Sequence, residues 1–163
     1  MPAITIRAST EADADAIWGI LEPVLTAGET YALPRDWTRA EALAYWHGAD
    51  HTVFVADAAG EVLGTYYLHP NQMGGGAHVA NCGYITHGRA VGGGIARAMC
   101  VHSLQFAASQ GFKAMQFNFV VGTNERAVAL WKRLGFEVVG RLPGAYEHPT
   151  LGFVDALVMY RIL

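Results

Sequence analysis

Three consecutive glycines, Gly92-Gly93-Gly94, join a strand-like run to an apolar helical run, and this junction limits what the chain can become more than any other feature. Upstream, Ala77 to Thr86 reads as a strand. Downstream, Ile95 to about Gln110 spreads Ile95, Ala96, Met99, Cys100, Leu104, Phe106 and Ala107 over a broad helical arc, so this helix is expected to be covered over much of its surface. A strand–glycine–helix junction presents unpaired backbone N–H groups where no Cβ blocks approach, which suits a pyrophosphate. Glycines also stand at such turns for steric reasons alone, so the junction does not decide the matter by itself. The spacing is not the dinucleotide pattern G-x-G-x-x-G, because Arg97 stands where the last glycine would be. No Gly-Lys-Ser/Thr follows, as a Walker loop requires. Nicotinamide and nucleoside-triphosphate chemistry are therefore disfavoured.

Around the junction the hydrophobic period switches repeatedly between two and 3.6. Ala3 to Ala8 reads as a strand. Thr10 is an N-cap with Asp13 in the first turn, and Ile17, Ile20, Leu21, Val24 and Leu25 form a helical stripe that Pro23 is expected to kink or end early. Gly28 to Asp36 is a loop, and Thr38-Arg39-Ala40-Glu41 is a capping box opening a helix to about Gly48. Thr52 to Asp57 and Val62 to His69 make a hairpin around Ala58-Ala59-Gly60-Glu61. Pro70 to Gly76 is a loop. Gly111 ends the long helix, and Lys113 to Val121 alternates, with Met115, Phe117, Phe119 and Val121 on one face and Gln116, Asn118 and Val120 on the other. Asn124 caps a helix with Ala127, Leu130, Trp131 and Leu134 inward, Glu125, Arg126, Lys132 and Arg133 outward, and Gly135 at its end. Phe136 to Gly140 and Phe153 to Ile162 are strands around a Pro- and Gly-containing loop. The order β-α-α-β-β-β-α-β-α-β-β predicts a mixed α/β sheet with helices covering its faces, in a single domain over residues 1–163.

At 52% hydrophobic and 15% charged residues, the chain carries enough apolar side chains for a core. A net charge of −3 without a basic stripe gives no support for nucleic-acid or anionic-membrane partners. No signal-peptide pattern and no apolar run of membrane-spanning length is present, so a cytoplasmic location is expected. Cys82 and Cys100 have no metal-ligand spacing and sit in apolar runs, where a thiol packs as a small core side chain. The seven histidines share no motif, and no metal is expected. His47, His51, His69, His87 and His148 read as surface or loop residues. His78 and His102, near the glycine junction and its strand, are candidates for proton transfer or for a structural role.

The glycine junction and the segment from Asn124 to Phe136, taken together at this separation, resemble the GCN5-related N-acetyltransferase family. Its turn reads Gln/Arg-x-x-Gly-x-Gly/Ala, and its later helix reads Asn-x-x-Ala-x-x-Leu-Tyr-x-x-x-Gly-Phe. Asn124, Ala127, Leu130, Gly135 and Phe136 match the second pattern. The turn fits in two registers, starting at Arg89 or at Val91. The second is preferred because Met99 and Cys100 then fall on the family's apolar helix pair. The resemblance implies the acyl-CoA N-acyltransferase fold and acetyl-CoA as co-substrate. It implies a cofactor site formed by Ile85, Thr86, Gly92, Gly93, Gly94, Ile95, Ala96, Asn124 and Trp131, with the pantetheine arm between the strands of Tyr84-Ile85-Thr86 and Phe117-Asn118-Phe119. Trp131 replaces the tyrosine to which the family's thiolate protonation is assigned, and an indole N–H is no acid near neutral pH. Water or Tyr84 is left as the donor.

Pro70-Asn71-Gln72, His78 to Tyr84 and Phe117 to Asn124 further resemble the fungal acetyltransferases of azetidine-2-carboxylate and related proline analogues. That resemblance implies catalytic roles for Asn81 and Asn118, which can orient an amine or a water and donate to an oxyanion but cannot act as bases. Glu29 and Tyr31 are candidates for lining the amine pocket. The expected activity is direct transfer of acetyl from acetyl-CoA to a small amine, an amino acid or analogue, with backbone N–H groups near Ile85 and Asn81 facing the oxyanion. Protein or peptide N-acetylation and a non-catalytic acyl-CoA-binding module are the alternatives. An apolar C-terminal run, Val154 to Leu163, is compatible with a homodimer.

Overall fold

The order of elements is the expected one. The computed structural model describes residues 2–163. It contains β1 (Ile4–Ala8), α1 (Ala14–Ala27), α2 (Arg39–Trp46), β2 (Thr52–Ala58), β3 (Glu61–Pro70), β4 (Val79–Thr86), α3 (Ile95–Ser109), β5 (Ala114–Val121), α4 (Glu125–Arg133), β6 (Glu137–His148) and β7 (Gly152–Ile162). The strands form one mixed sheet in the order β1-β2-β3-β4-β5-β7-β6, in which only β4 and β5 run parallel. Helices cover both faces. Ile17, Ile20, Leu21 and Leu25 of α1 and Trp46 of α2 pack with Val53, Val55, Tyr67 and Ile85 on one side. Met99, Cys100 and Leu104 of α3 and Trp131 of α4 pack with Phe54, Tyr66, Met115 and Phe117 on the other.

Local chemistry explains most boundaries. Thr38 and Glu41 exchange both bonds of the capping box at the start of α2. Ala59 and Gly60 both have positive φ (55° and 89°), the primed turn that matches strand twist, and the Asp57 carboxylate accepts from the Gly60 N–H at 2.7 Å. Gly64 lets α3 approach β3, since a Cβ there would stand 2.7 Å from Ile95 Cγ2 and 2.9 Å from Met99 Cε. At the start of α1, the Asp13 carboxylate accepts from Arg7 Nη1 and Nη2 at 2.9 Å each and from the Thr10 N–H at 2.8 Å. These bonds hold its pKa down at about 2.

Three local expectations change. Pro23 neither ends nor shortens α1, which runs on to a left-handed Gly28 (φ 64°). Pro23 and Gly19, whose carbonyl loses the Pro23 donor, both face solvent, while the buried stripe on the other side holds the helix. The alternation of β5 breaks after Phe117, because Asn118 and Phe119 together stand opposite a single position of β7. This bulge puts Val120 into the core beside Val121 and leaves Phe119 half-buried. The Pro- and Gly-containing stretch is part of β6 rather than a loop. Pro143, with no N–H to offer, lies in a second irregularity between Leu142 and Tyr146, and the chain turns only at residues 149–151. Among the described residues, no helix is long and apolar enough to cross a membrane.

Candidate active site

The parallel ladder between β4 and β5 holds only at Val79–Ala114 and Ala80–Met115. Beyond it the strands splay. Backbone direction along β4 is set by three bonds: His78 O accepts from Lys113 on the β5 side, whereas Val79 O and the His87 N–H engage Asn71 and Leu63 on the β3 side. Main-chain groups alternate along a strand, so those of Cys82, Tyr84 and Thr86 turn toward β5, where the ladder has ended. Ile85 turns its own N–H toward β3 and buries its side chain in the α1–α2 core. The opened seam is the floor of a cleft of about 1000 Å³ that runs from the glycine junction to the loop between α1 and α2.

At one end of the cleft the chain makes a short 3₁₀ turn, Gly88–Ala90, and enters α3 through Gly92 (φ 86°) and Gly94 (φ 84°). Gly94 is the N-cap residue, and Val91, Gly92, Gly94, Ile95 and Ala96 line the cleft. Gly93 is not among the lining residues; its N–H closes the turn onto Ala90 O at 3.0 Å. The first amides of α3 therefore point into a concave surface with the positive end of a fifteen-residue helix behind them. Arg89 is tied to Glu61 and lines a separate shallow depression near β1 and α1, which favours the register that begins at Val91. Arg126 is the residue that sequence periodicity assigned to solvent and the fold assigns to this end. A Cβ on Gly92 would stand 3.3 Å from its Nη2, so the guanidinium lies over the turn.

The middle of the cleft is apolar. Trp131 is buried, with its ring 5.2 Å from those of both Tyr84 and Phe117. Asn124 caps α4 by accepting from the Ala127 N–H at 3.4 Å. Ser103 uses its one proton on Cys100 O (2.7 Å), so the Tyr84 hydroxyl donates to Ser103 Oγ (2.7 Å). Burial raises the Tyr84 pKa well above the ordinary phenol range.

A family model described as the acetyltransferase (GNAT) family matches residues 15–136. The chain belongs to the GNAT family. It is 36% identical over 103 residues to the N-acetyltransferase aca1 of Schizosaccharomyces pombe, a match that covers 60% of this chain and 47% of the relative, so the chain spans about half that protein's length. A solved GCN5-related N-acetyltransferase from Kribbella flavida superposes with a TM-score of 0.94 at 41% identity, covering 99% of this chain and 98% of that one. A GNAT superfamily phosphinothricin acetyltransferase from Sinorhizobium meliloti, solved in complex with AcCoA, shares the fold at a TM-score of 0.85 and 23% identity, over 98% of this chain and 88% of that one. The expected family and fold are thus borne out.

At the other end of this GNAT cleft the loop between α1 and α2 folds over β4. The Tyr31 hydroxyl donates to Tyr84 O at 3.2 Å, and Tyr146 Oη lies within hydrogen-bonding distance of the Gly28 and Tyr31 carbonyls. Gly83 allows this approach, because a Cβ there would meet the Tyr67 ring at 2.6 Å and Tyr31 Oη at 2.8 Å. Glu29, Tyr31, Tyr45 and Tyr67 line this end together with Asn81, Asn118 and Phe119.

The two asparagines are joined through Gln116, which sequence reasoning passed over. Asn81 Nδ2 donates to Gln116 O at 2.9 Å, spanning the gap just past the last ladder pair. Gln116 Nε2 donates to Asn118 Oδ1 at 2.9 Å, and Asn118 Nδ2 donates to Asn71 Oδ1 at 2.6 Å. Asn81 Oδ1 accepts from His69 Nε2 at 3.0 Å. His69, expected at the surface, is therefore a direct partner of a candidate catalytic residue. The β3–β4 register, which sets His69 opposite Asn81, is the signal that reveals it. His51 likewise leaves the surface set: its ring stacks on Tyr67 at 4.3 Å, and desolvation pulls its pKa down. His78 is exposed at the start of β4. His102 bonds the Tyr66 hydroxyl at 2.8 Å on the α3 face, with its pKa lowered by burial. Cys82 and Cys100 are both buried, and desolvation pushes their thiols up, Cys100 to about 12.

Proposed function

We propose that this chain transfers acetyl from acetyl-CoA to the amine of a small molecule, an amino acid or an analogue of one, by direct attack. The observation that carries the small-molecule reading is the pinned loop. Tyr31 and Tyr146 pin the α1–α2 connection over the amine end of the cleft, where tyrosines and Asn81 form walls suited to a small amine.

Acetyl-CoA enters as a substrate and supplies the activated thioester. The α3 amides and Arg126 suit its pyrophosphate, and the unpaired main-chain groups of Cys82 and Thr86 with the N–H of Tyr84 suit the amides of its arm. Trp131, Phe117 and Leu130 exclude water beside the arm. An alkyl ammonium loses its proton to solvent before it attacks, so the rate rises with pH until the amine is neutral. The amine nitrogen then bonds the thioester carbonyl carbon. The carbon–sulfur bond breaks as the oxyanion collapses, and the thiolate departs. Asn81 has two N–H bonds, of which Gln116 O takes one; we assign the other to the oxyanion or to a water that carries the amine proton away. Tyr84 has its proton engaged by Ser103, so water is the donor to the thiolate.

Steady-state kinetics with a panel of proline analogues and other amino acids test this reading. Asn81→Ala lowers kcat by about 10²–10³, the usual cost of one such donor, with little change in acetyl-CoA affinity. Asn118→Ala, at the exposed bulge, acts chiefly on KM for the amine. No thiol release with any amine from a folded protein that binds acetyl-CoA would instead support a binding module.

A further inference from the structure

We propose that Asp50, His51 and His69 form a binding site for a first-row divalent cation of the zinc class, at the edge of the amine chamber. His51 lies one residue before β2 and His69 near the end of β3. The antiparallel register that pairs Thr52 with Leu68 sets the two histidines across from one another, with ring centroids 4.7 Å apart. Asp50 hangs over both from the connection after α2.

The hydrogen bonds on the far side of each ring decide its tautomer. His51 Nδ1 lies 2.9 Å from Trp46 O, and a carbonyl can only accept, so Nδ1 carries the proton and Nε2 is bare in the neutral ring. The Asn81 carboxamide is oriented by its donation to Gln116 O, so its oxygen faces His69 Nε2 at 3.0 Å. That bond puts the proton on Nε2 and leaves Nδ1 bare. The two bare nitrogens converge on one carboxylate: His51 Nε2 is 3.7 Å from Asp50 Oδ1, and His69 Nδ1 is 3.5 Å from Asp50 Oδ2. All three ligand atoms lie within 4.8 Å of one another. Three acceptors thus face one another, an arrangement that a cation relieves.

Two imidazoles and one carboxylate select zinc-like ions over magnesium or calcium, which take oxygen ligands. Bonds of about 2.0–2.1 Å in a tetrahedral site put neighbouring ligands roughly 3.3 Å apart, a few tenths of an ångström inside the two nitrogen–oxygen gaps. The Asp50 side chain, 65% exposed, is free to close that difference and leaves a position for water. Each imidazole already has the outer oxygen partner that metal-bound histidines use, a carbonyl for one and a carboxamide for the other. Because the outer partner of His69 is Asn81, ligation at Nδ1 holds the Asn81 carboxamide in place.

The test is direct binding to tag-free, chelator-treated protein, with no turnover required. Zn²⁺ is titrated by calorimetry and Co²⁺ by visible absorption. One ion per chain is expected, with Co²⁺ bands of a low-coordinate nitrogen–oxygen site. Asp50→Asn and His51→Ala should each weaken binding by about 100-fold or more, at the upper end of what even outer-shell changes cause. His51→Ala also removes the stack on Tyr67, so its fold is checked by circular dichroism, and exposed Asp50→Asn carries the test alone if that variant unfolds. Absence of saturable binding at one equivalent, or undiminished binding in Asp50→Asn, overturns the site.

Discussion

Gly94 separates backbone strain from charge at the proposed pyrophosphate site. It precedes α3 with φ of 84°, and nothing lies within 4 Å of a Cβ built on it. Gly94→Ala therefore meets no clash and costs only left-handed strain, roughly 1–2 kcal/mol of stability, while the α3 amides stay open. Gly94→Asp carries the same strain and adds a carboxylate among those amides. At a separation of about 5 Å and an effective dielectric constant of ~20, each pair of like unit charges costs about 3 kcal/mol, or roughly two orders of magnitude in affinity. The new carboxylate also offers the amides an internal acceptor, which acts in the same direction. Calorimetry with acetyl-CoA should find Gly94→Ala within a few-fold of the parent and Gly94→Asp about 100-fold weaker, with the gap between them shrinking as salt is raised. Equal affinity of folded Gly94→Ala and Gly94→Asp proteins at low salt would refute the reasoning and move the pyrophosphate off the α3 terminus.

Arg126→Ala should weaken acetyl-CoA about tenfold, as loss of one partly exposed charge-assisted contact does, with Arg126→Lys recovering part of it in the same titration. An unchanged affinity would return Arg126 to the solvated face of α4. Cys82→Ala with Cys100→Ala should keep kcat/KM while lowering the thermal midpoint, because both thiols are buried and held protonated; an acetylated cysteine trapped by mass spectrometry on the productive path would contradict direct attack. Asp13 has its pKa lowered to about 2 by Arg7 and Thr10. Its contribution is full above the unfolded value near ~4 and is lost as pH falls toward the folded value. It amounts to about 1–2 kcal/mol after allowing for the partly exposed Arg7. Urea unfolding at pH 6 and pH 3 should show a smaller stability loss for Asp13→Asn than for the parent, and identical losses would discount the pair.

Period, caps and glycines are local properties, and they were legible without coordinates. The capping box at Thr38, the stop at Gly111, the Asn124 cap and the strand–glycine–helix junction each rest on residues within one turn of one another. The element order and the family follow from these. Periodicity failed where packing between distant segments sets the outcome. Pro23 sits inside a helix held from its other face, and β5 changes phase at a bulge that exists only opposite β7.

The candidate site divides in the same way. Local sequence pointed to the residues near the glycine junction that we propose hold the cofactor, since a run of amides at a helix start is contiguous in the chain. Only the tertiary structure decided that β4 and β5 part after Ala80 and Met115, and that Arg126 returns from α4 to lie over Gly92. It also decided that His69, Asn81 and Gln116 meet across three strands, with Asp50 and His51 beside them. The physical reason is that a side chain's period reports which face it takes, whereas its partner depends on strand register and order. Those are fixed by hydrogen bonds between segments far apart in the chain.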